Sequence, residues 1–127
     1  MLKAKNRKAV QASAVDASIS KVTSVRQSMY ESAEITGIYT AGLANPDDLD
    51  ELSRTRFRLL LRNVLMAVSN IYSQTHFAGL SSSMWESQLV LLRGVVASPG
   101  GQLFWKEYQL EFDEAFRRQI EAILQDT

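Results

Sequence analysis

The chain contains no cysteine, which excludes disulfides, thiolate nucleophiles and thiolate metal sites together. Histidine occurs once, at His76, so the side chain best suited to acid–base work at neutral pH has no second copy to share it with. Only two prolines and six glycines punctuate the 127 residues. They stand where helices should stop rather than where strands should turn. Net charge is missing as well: 14 basic residues balance 14 acidic ones, so no overall field draws the protein to nucleic acid or to a membrane surface. No run approaches the ~18 apolar residues of a membrane span. The basic N-terminus, MLKAKNRKAVQASAVDAS, lacks the apolar segment of a signal peptide. These absences lead us to expect a cytoplasmic, cofactor-free protein; the alternative is the soluble part of a membrane-associated one.

What is present is helical pattern. Apolar residues make up 46% of the chain, enough for one core in a single domain over residues 1–127, with 1–14 a frayed basic lead-in. Sustained apolar/polar alternation bounded by turn residues is lacking, so the fold class is all-α, with about five helices. The first helix starts between Lys8 and Asp16 and runs to about Ala41. Val15, Ile19, Val22, Val25 and Met29 follow 4-3-3-4 spacing on it, a narrow apolar seam on a polar rod. Gly37 is where that rod would kink. Gly42 reads as a left-handed C′ residue with Leu43 beside it, and Pro46 as the stop. Asp48 and Glu51 have capping-box spacing ahead of a second long helix, about 53–78. There Phe57, Leu61, Val64, Val68 and Ile71 form one apolar row, widened by Leu60, Leu65 and Tyr72, as expected of a central helix buried on more than one side.

Three shorter helices complete the pattern. Gly79-Leu80 ends the central helix, and Ser83 with Glu86 reads as a capping box for a helix carrying Trp85, Leu89, Leu92 and Val96. In SPGGQLFWKEYQLEF, residues 98–112, Ser98 suits an N-cap and Pro99 the first helical position, with Gly100 and Gly101 in the first turn. This is a helix junction: a phosphate-binding loop needs a preceding strand and a Lys-Ser/Thr pair that are lacking here. Phe104, Trp105, Tyr108 and Phe112 follow as one aromatic face. Asp113 caps a last helix with Phe116, Ile120, Ile123 and Leu124.

Four groups could carry a function. The seam Val15, Ile19, Val22, Val25 and Met29 lies on a helix too long for so small a core to cover, which points to self-association. Arg54, Arg58 and Arg62 repeat every four residues, with Arg56 beside them. They form a basic stripe that pairs with acidic residues on neighbouring helices or is simply solvated; phosphates of a nucleic acid or a partner protein are the alternatives. Trp85, Phe104, Trp105 and Tyr108 are a candidate cleft for a small molecule or anion. Lys3, Lys5, Arg7 and Lys8 make a basic head, read as a solvated terminus, with the flank of a membrane anchor as the alternative. Glu107 and Glu111 have helical metal-site spacing but no Glu-x-x-His companion, so no metal ligand set is assigned. His76 has no acidic neighbour three or four residues away and is given no catalytic role.

The stretch YTAGLANPDDLDELSRTRFRLLLRNVLMAVSNIYSQTHFAGLSSSMWES, followed by LLRGVVASPGGQLFWKEYQLEFDEAFRRQIEAIL, resembles a family of small all-helical bacterial proteins. In that pattern a Gly-Leu and Pro stop precedes an Arg-Phe-rich long helix, then a Trp-bearing helix, Ser-Pro-Gly-Gly with aromatics, and a Phe-containing last helix. Many such proteins look as if a transmembrane helix precedes the domain; this chain begins with the basic head instead. The resemblance implies a fold and carries no catalytic residue or activity with it. The expected function is therefore a non-enzymatic protein–protein interaction module, most readily a homodimer. A small-molecule or anion binder is the first alternative, and nucleic-acid or anionic-membrane contact through the arginine stripe the second.

Overall fold

The computed structural model describes residues 31–78 and 82–126, together with the separate N-terminal positions 10, 13, 16, 17, 19–21, 23, 24 and 27. Of residues 77, 78, 82 and 84 only the backbone is described. The fold is all-α, and the described residues form no strand. The described positions before Ser32 are helical. Five helices follow: α1 (Ala33–Ala44), α2 (Glu51–Ala78), α3 (Ser82–Val96), α4 (Pro99–Tyr108) and α5 (Glu114–Gln125). Short 3-10 turns, Pro46–Asp48 and Gln109–Glu111, link α1 to α2 and α4 to α5.

α2 is central. Its 28 residues reach about 42 Å at 1.5 Å per residue, and it packs against α1, α3 and α5, while α4 bridges α1 and α3. Phe57, Leu61, Leu65, Val68 and Ile71 on α2 are fully or almost fully buried, and they meet Leu92 and Val96 of α3 and Phe116 and Ile120 of α5 in one apolar cluster. Each such side chain contributes about 1.5–3 kcal/mol by leaving water. Rings fill the C-terminal half of this cluster: Trp105, Phe112 and Phe116 lie 5.3–6.2 Å apart, and Tyr72 and Trp85 close on Phe116 from the other side.

Several boundaries differ from the sequence reading. The rod expected to run unbroken to Ala41 restarts at Ser32, not at Gly37. Ser32 takes an extended conformation (φ −120°, ψ 113°), and its hydroxyl oxygen accepts the Ile35 N–H at 3.2 Å. A side chain that satisfies the backbone in this way competes with helix continuation. α1 then runs through Gly42 to Ala44 and is capped at Asn45, whose N–H bonds the Ala41 carbonyl at 2.8 Å. Gly42 is thus helical and needed for close approach, with no left-handed C′ role: an added Cβ would overlap the ring of Phe57. The cap of α2 is Asp50, whose carboxylate accepts the Ser53 N–H at 2.7 Å. Asp48 is taken up by the 3-10 turn, so the Asp48–Glu51 capping box does not form. α3 starts at Ser82, so Ser83 lies inside its first turn and is not the cap. α4 ends at Tyr108, and Phe112 enters the core from an extended residue. The turn at Gly79-Leu80 lies outside the described residues.

The SPGG junction forms as its residues imply. Ser98 is the N-cap of α4, its hydroxyl oxygen accepting the Gly101 N–H at 3.0 Å, with Pro99 at the first helical position. Gly100 lies against the backbone of Gly42, where a Cβ would overlap the Gly42 carbonyl oxygen. Two glycines therefore bring α1 and α4 together backbone to backbone.

Candidate functional site

α2 carries the candidate surface, because Arg54, Arg56, Arg58 and Arg62 lie exposed along its N-terminal half beside the exposed Leu52 and Leu59. The arginines repeat at four-residue spacing along it, and each finds a different neighbour. Arg54 donates to the Leu49 carbonyl at 3.2 Å, and Arg58 donates to the Tyr108 hydroxyl at 3.2 Å. Arg62 pairs with Glu111 at 3.2 Å, and Arg56, to the side, with Glu34 at 2.7 Å. The stripe is thus partnered by the segment just before α2, by α1, and by the end of α4 with its connection to α5. Pairs as exposed as these are worth about 0–1 kcal/mol each; they set charge balance more than stability.

Three surface hollows flank this stripe. The smallest, about 220 Å³, lies where the Pro46–Asp48 turn, α2 and α4 converge; Phe57 and Phe104 contribute rings, and Arg54, Arg58, Asp47 and Glu107 contribute charge of both signs. The next, about 290 Å³, is lined by Arg58, Leu59, Arg62, Phe104, Tyr108 and Glu111. The third, about 420 Å³, runs between α1 and α2 and is the most apolar, lined by Ile35, Ile38, Leu59 and Leu60, with Glu34, Arg56 and Asn63 at its rim.

The four aromatics proposed as one cleft are divided by the fold. Phe104 is buried and lines the two smaller hollows, and Tyr108 is half-buried in the second of them. Trp105 is buried on the other side of α4 against Phe112. There it lines a shallow hollow with Gln102, Lys106, Gln109 and Glu121, and its Nε1–H meets no acceptor among the described residues. Trp85 is half-buried, 4.8 Å from the ring of Tyr72. Of the N-terminal seam, Val15, Val22, Val25 and Met29 lie outside the described residues, as do Lys3, Lys5, Arg7 and Lys8. Ile19 is half-buried and packs against the chain's own core.

His76 is exposed and stacks on Tyr72, ring centroids 5.3 Å apart. Glu111 is engaged by Arg62 while Glu107 faces the smallest hollow. Asp50 has its carboxyl held below the ordinary range, first by the Ser53 N–H, then by the Ser53 hydroxyl, with Arg56 and Arg54 adding to the effect. Among the described residues no helix is long and apolar enough to cross a membrane, and no group of three potential metal ligands gathers. No protein-family profile, curated protein or solved structure matches the chain.

Leu59 is the residue the sequence reading passed over. Three consecutive leucines, 59 to 61, conceal which of them faces out. Leu61 is buried, Leu60 half-buried and Leu59 56% exposed, lining both of the larger hollows. Its signal is the seven-residue interval that separates Leu52, Leu59 and Met66.

Proposed function

We propose that this chain is a non-enzymatic helical interaction module that self-associates as a homodimer. The observation that carries the reading is the hollow of about 420 Å³ between α1 and α2, which Ile35, Ile38, Leu59 and Leu60 line beside polar residues and whose Leu59 stands largely in water. Exposed aliphatic side chains scattered singly are ordinary; a concave group of them edged by polar residues is the usual form of a contact surface. The N-terminal seam belongs to the same proposal, although its residue Ile19 packs against the chain's own core. Membership in the bacterial family that the chain resembles is likewise part of the proposal and rests on helix caps and core aromatics. Sedimentation velocity of the full chain over the micromolar range tests it: twice the chain mass is expected, and a monomer throughout overturns it.

A second reading, binding of a small zwitterion or anion, is favoured by the smallest hollow. There Arg54 and Arg58 donate to neutral oxygens and share the lining with Phe57 and Phe104. Saturable quenching of tryptophan fluorescence by a metabolite, lost in Arg58→Ala, is its expected sign.

A further inference from the structure

The four arginines along α2 divide by partner. Arg56 and Arg62 are ion-paired, with Glu34 and Glu111. Arg54 and Arg58 donate to neutral oxygens: the Leu49 carbonyl for one, the hydroxyls of Thr55 and Tyr108 for the other. These two are the arginines that line the smallest hollow, of about 220 Å³. Asp47 of the 3-10 turn and Glu107 of α4 line it as well. Among the described residues none of the four enters a salt bridge.

Charge in the hollow is therefore sorted by element. Residues four apart on a helix share a side, so α2 presents two cations, while the turn and α4 present one anion each. A bare anion would be drawn by the arginines and repelled by Asp47 and Glu107, and a bare amine would meet the reverse. A ligand that carries both a carboxylate and an ammonium answers both sets of charges. Phe57, Leu103 and Phe104 supply apolar lining for a short aliphatic side chain. Size agrees: at about 30 Å³ per water in the liquid, the hollow has room for about seven waters, the bulk of a small amino acid.

We infer that this hollow binds a free amino acid with a short aliphatic side chain, its carboxylate on Arg54 and Arg58 and its ammonium toward Asp47 and Glu107. The inference rests on the small-molecule reading and adds the ligand class and the residues that recognise it. The test is a 1H–15N NMR titration of the full chain with four probes at matched ionic strength: L-leucine, 4-methylpentanoate (no ammonium), 3-methylbutylamine (no carboxylate) and inorganic phosphate. The expected result is saturable shifts from leucine at the Arg54 and Arg58 side chains and at Leu103 and Glu107, with each single-charge probe binding about tenfold more weakly. Arg58→Gln and Glu107→Gln should each weaken leucine by about the same factor. Arg118→Gln, whose partner Glu114 lies outside the hollow, should not. Glu107→Gln decides the matter should Arg58→Gln disturb the contact with Tyr108, and the spectrum of each variant reports its folding. A single-charge probe that binds as tightly as leucine, or leucine binding untouched by Glu107→Gln, overturns the zwitterion assignment and leaves the small-molecule reading standing. Leucine shifts elsewhere, or equal weakening by Arg118→Gln, overturn the location. No saturable shift from any of the four probes overturns the inference and that reading together.

Discussion

The two ends of α1 meet the same neighbour in opposite ways. At the C-terminal end Gly42 lies under the ring of Phe57, and its carbonyl oxygen faces Gly100 of α4 with no room for a Cβ on either glycine. At the N-terminal end Ile35 and Ile38 reach toward Leu59 and Leu60 but leave a hollow of about 420 Å³. One end presents a glycine to the contact and closes; the other presents branched side chains and stays open. The difference teaches that the separation of α1 and α2 is set at the glycine end, which the fold has spent on its own core, while the other end leaves Leu59 exposed beside the hollow.

Core truncation gives the largest expected effect against which both ends are judged. Phe116→Ala removes a fully buried ring that touches Trp105, Phe112, Tyr72 and Trp85, and should cost about 3–5 kcal/mol in chemical denaturation. At the closed end, Gly100→Ala forces a methyl onto the Gly42 carbonyl, and a loss of about 1–3 kcal/mol is expected. A neutral result would mean that α1 and α4 slide apart without penalty. The junction's cap comes next: Ser98→Ala leaves the Gly101 N–H unpaired, and should lower stability by about 1 kcal/mol.

The sharpest test of the comparison uses two glycines of one helix. Gly37, in the interior of α1, has open space where its Cβ would go, whereas Gly42 has the Phe57 ring there. Gly37→Ala should therefore stabilise by about 0.5–1 kcal/mol, while Gly42→Ala destabilises. Thermal melts of the two variants should move in opposite directions, and movement in the same direction breaks the account of α1. The smallest effect concerns pH. Because the Asp50 carboxyl is held below its ordinary value in the folded chain, its contribution is full above the ordinary carboxylate range. It fades as pH falls through the lowered value. Asp50→Asn keeps a capping oxygen without the titration, so the stability gap between wild type and Asp50→Asn should narrow on acidification.

Much of this was legible in the residues. The row Phe57, Leu61, Val64, Val68 and Ile71 is buried as its spacing implies, and Ser98-Pro99 and Asp113 start α4 and α5. Periodicity and caps are local signals, and local signals survive without knowledge of the rest of the chain. Ser32 was illegible as a break because a serine inside a helical pattern is as readily a surface residue as a cap. The candidate surface was half-legible: the arginine repeat was plain, but its partners Glu34, Tyr108 and Glu111 lie 22 to 50 residues away.

Composition and periodicity by themselves determined an all-helical chain with one long central helix and a small-residue junction at Gly100, since burying an apolar face at a 3.6-residue interval leaves few other solutions. Only the tertiary structure decided that Leu59 faces water while Leu61 faces the core, that Phe104 and Trp105 part to different sides of α4 while Trp85 of α3 lies against Tyr72, and that α1 closes at Gly42 and opens at Ile35. Those outcomes depend on which helix approaches which, and at what distance, and helix separation is fixed by side chains far apart in the chain meeting at contact.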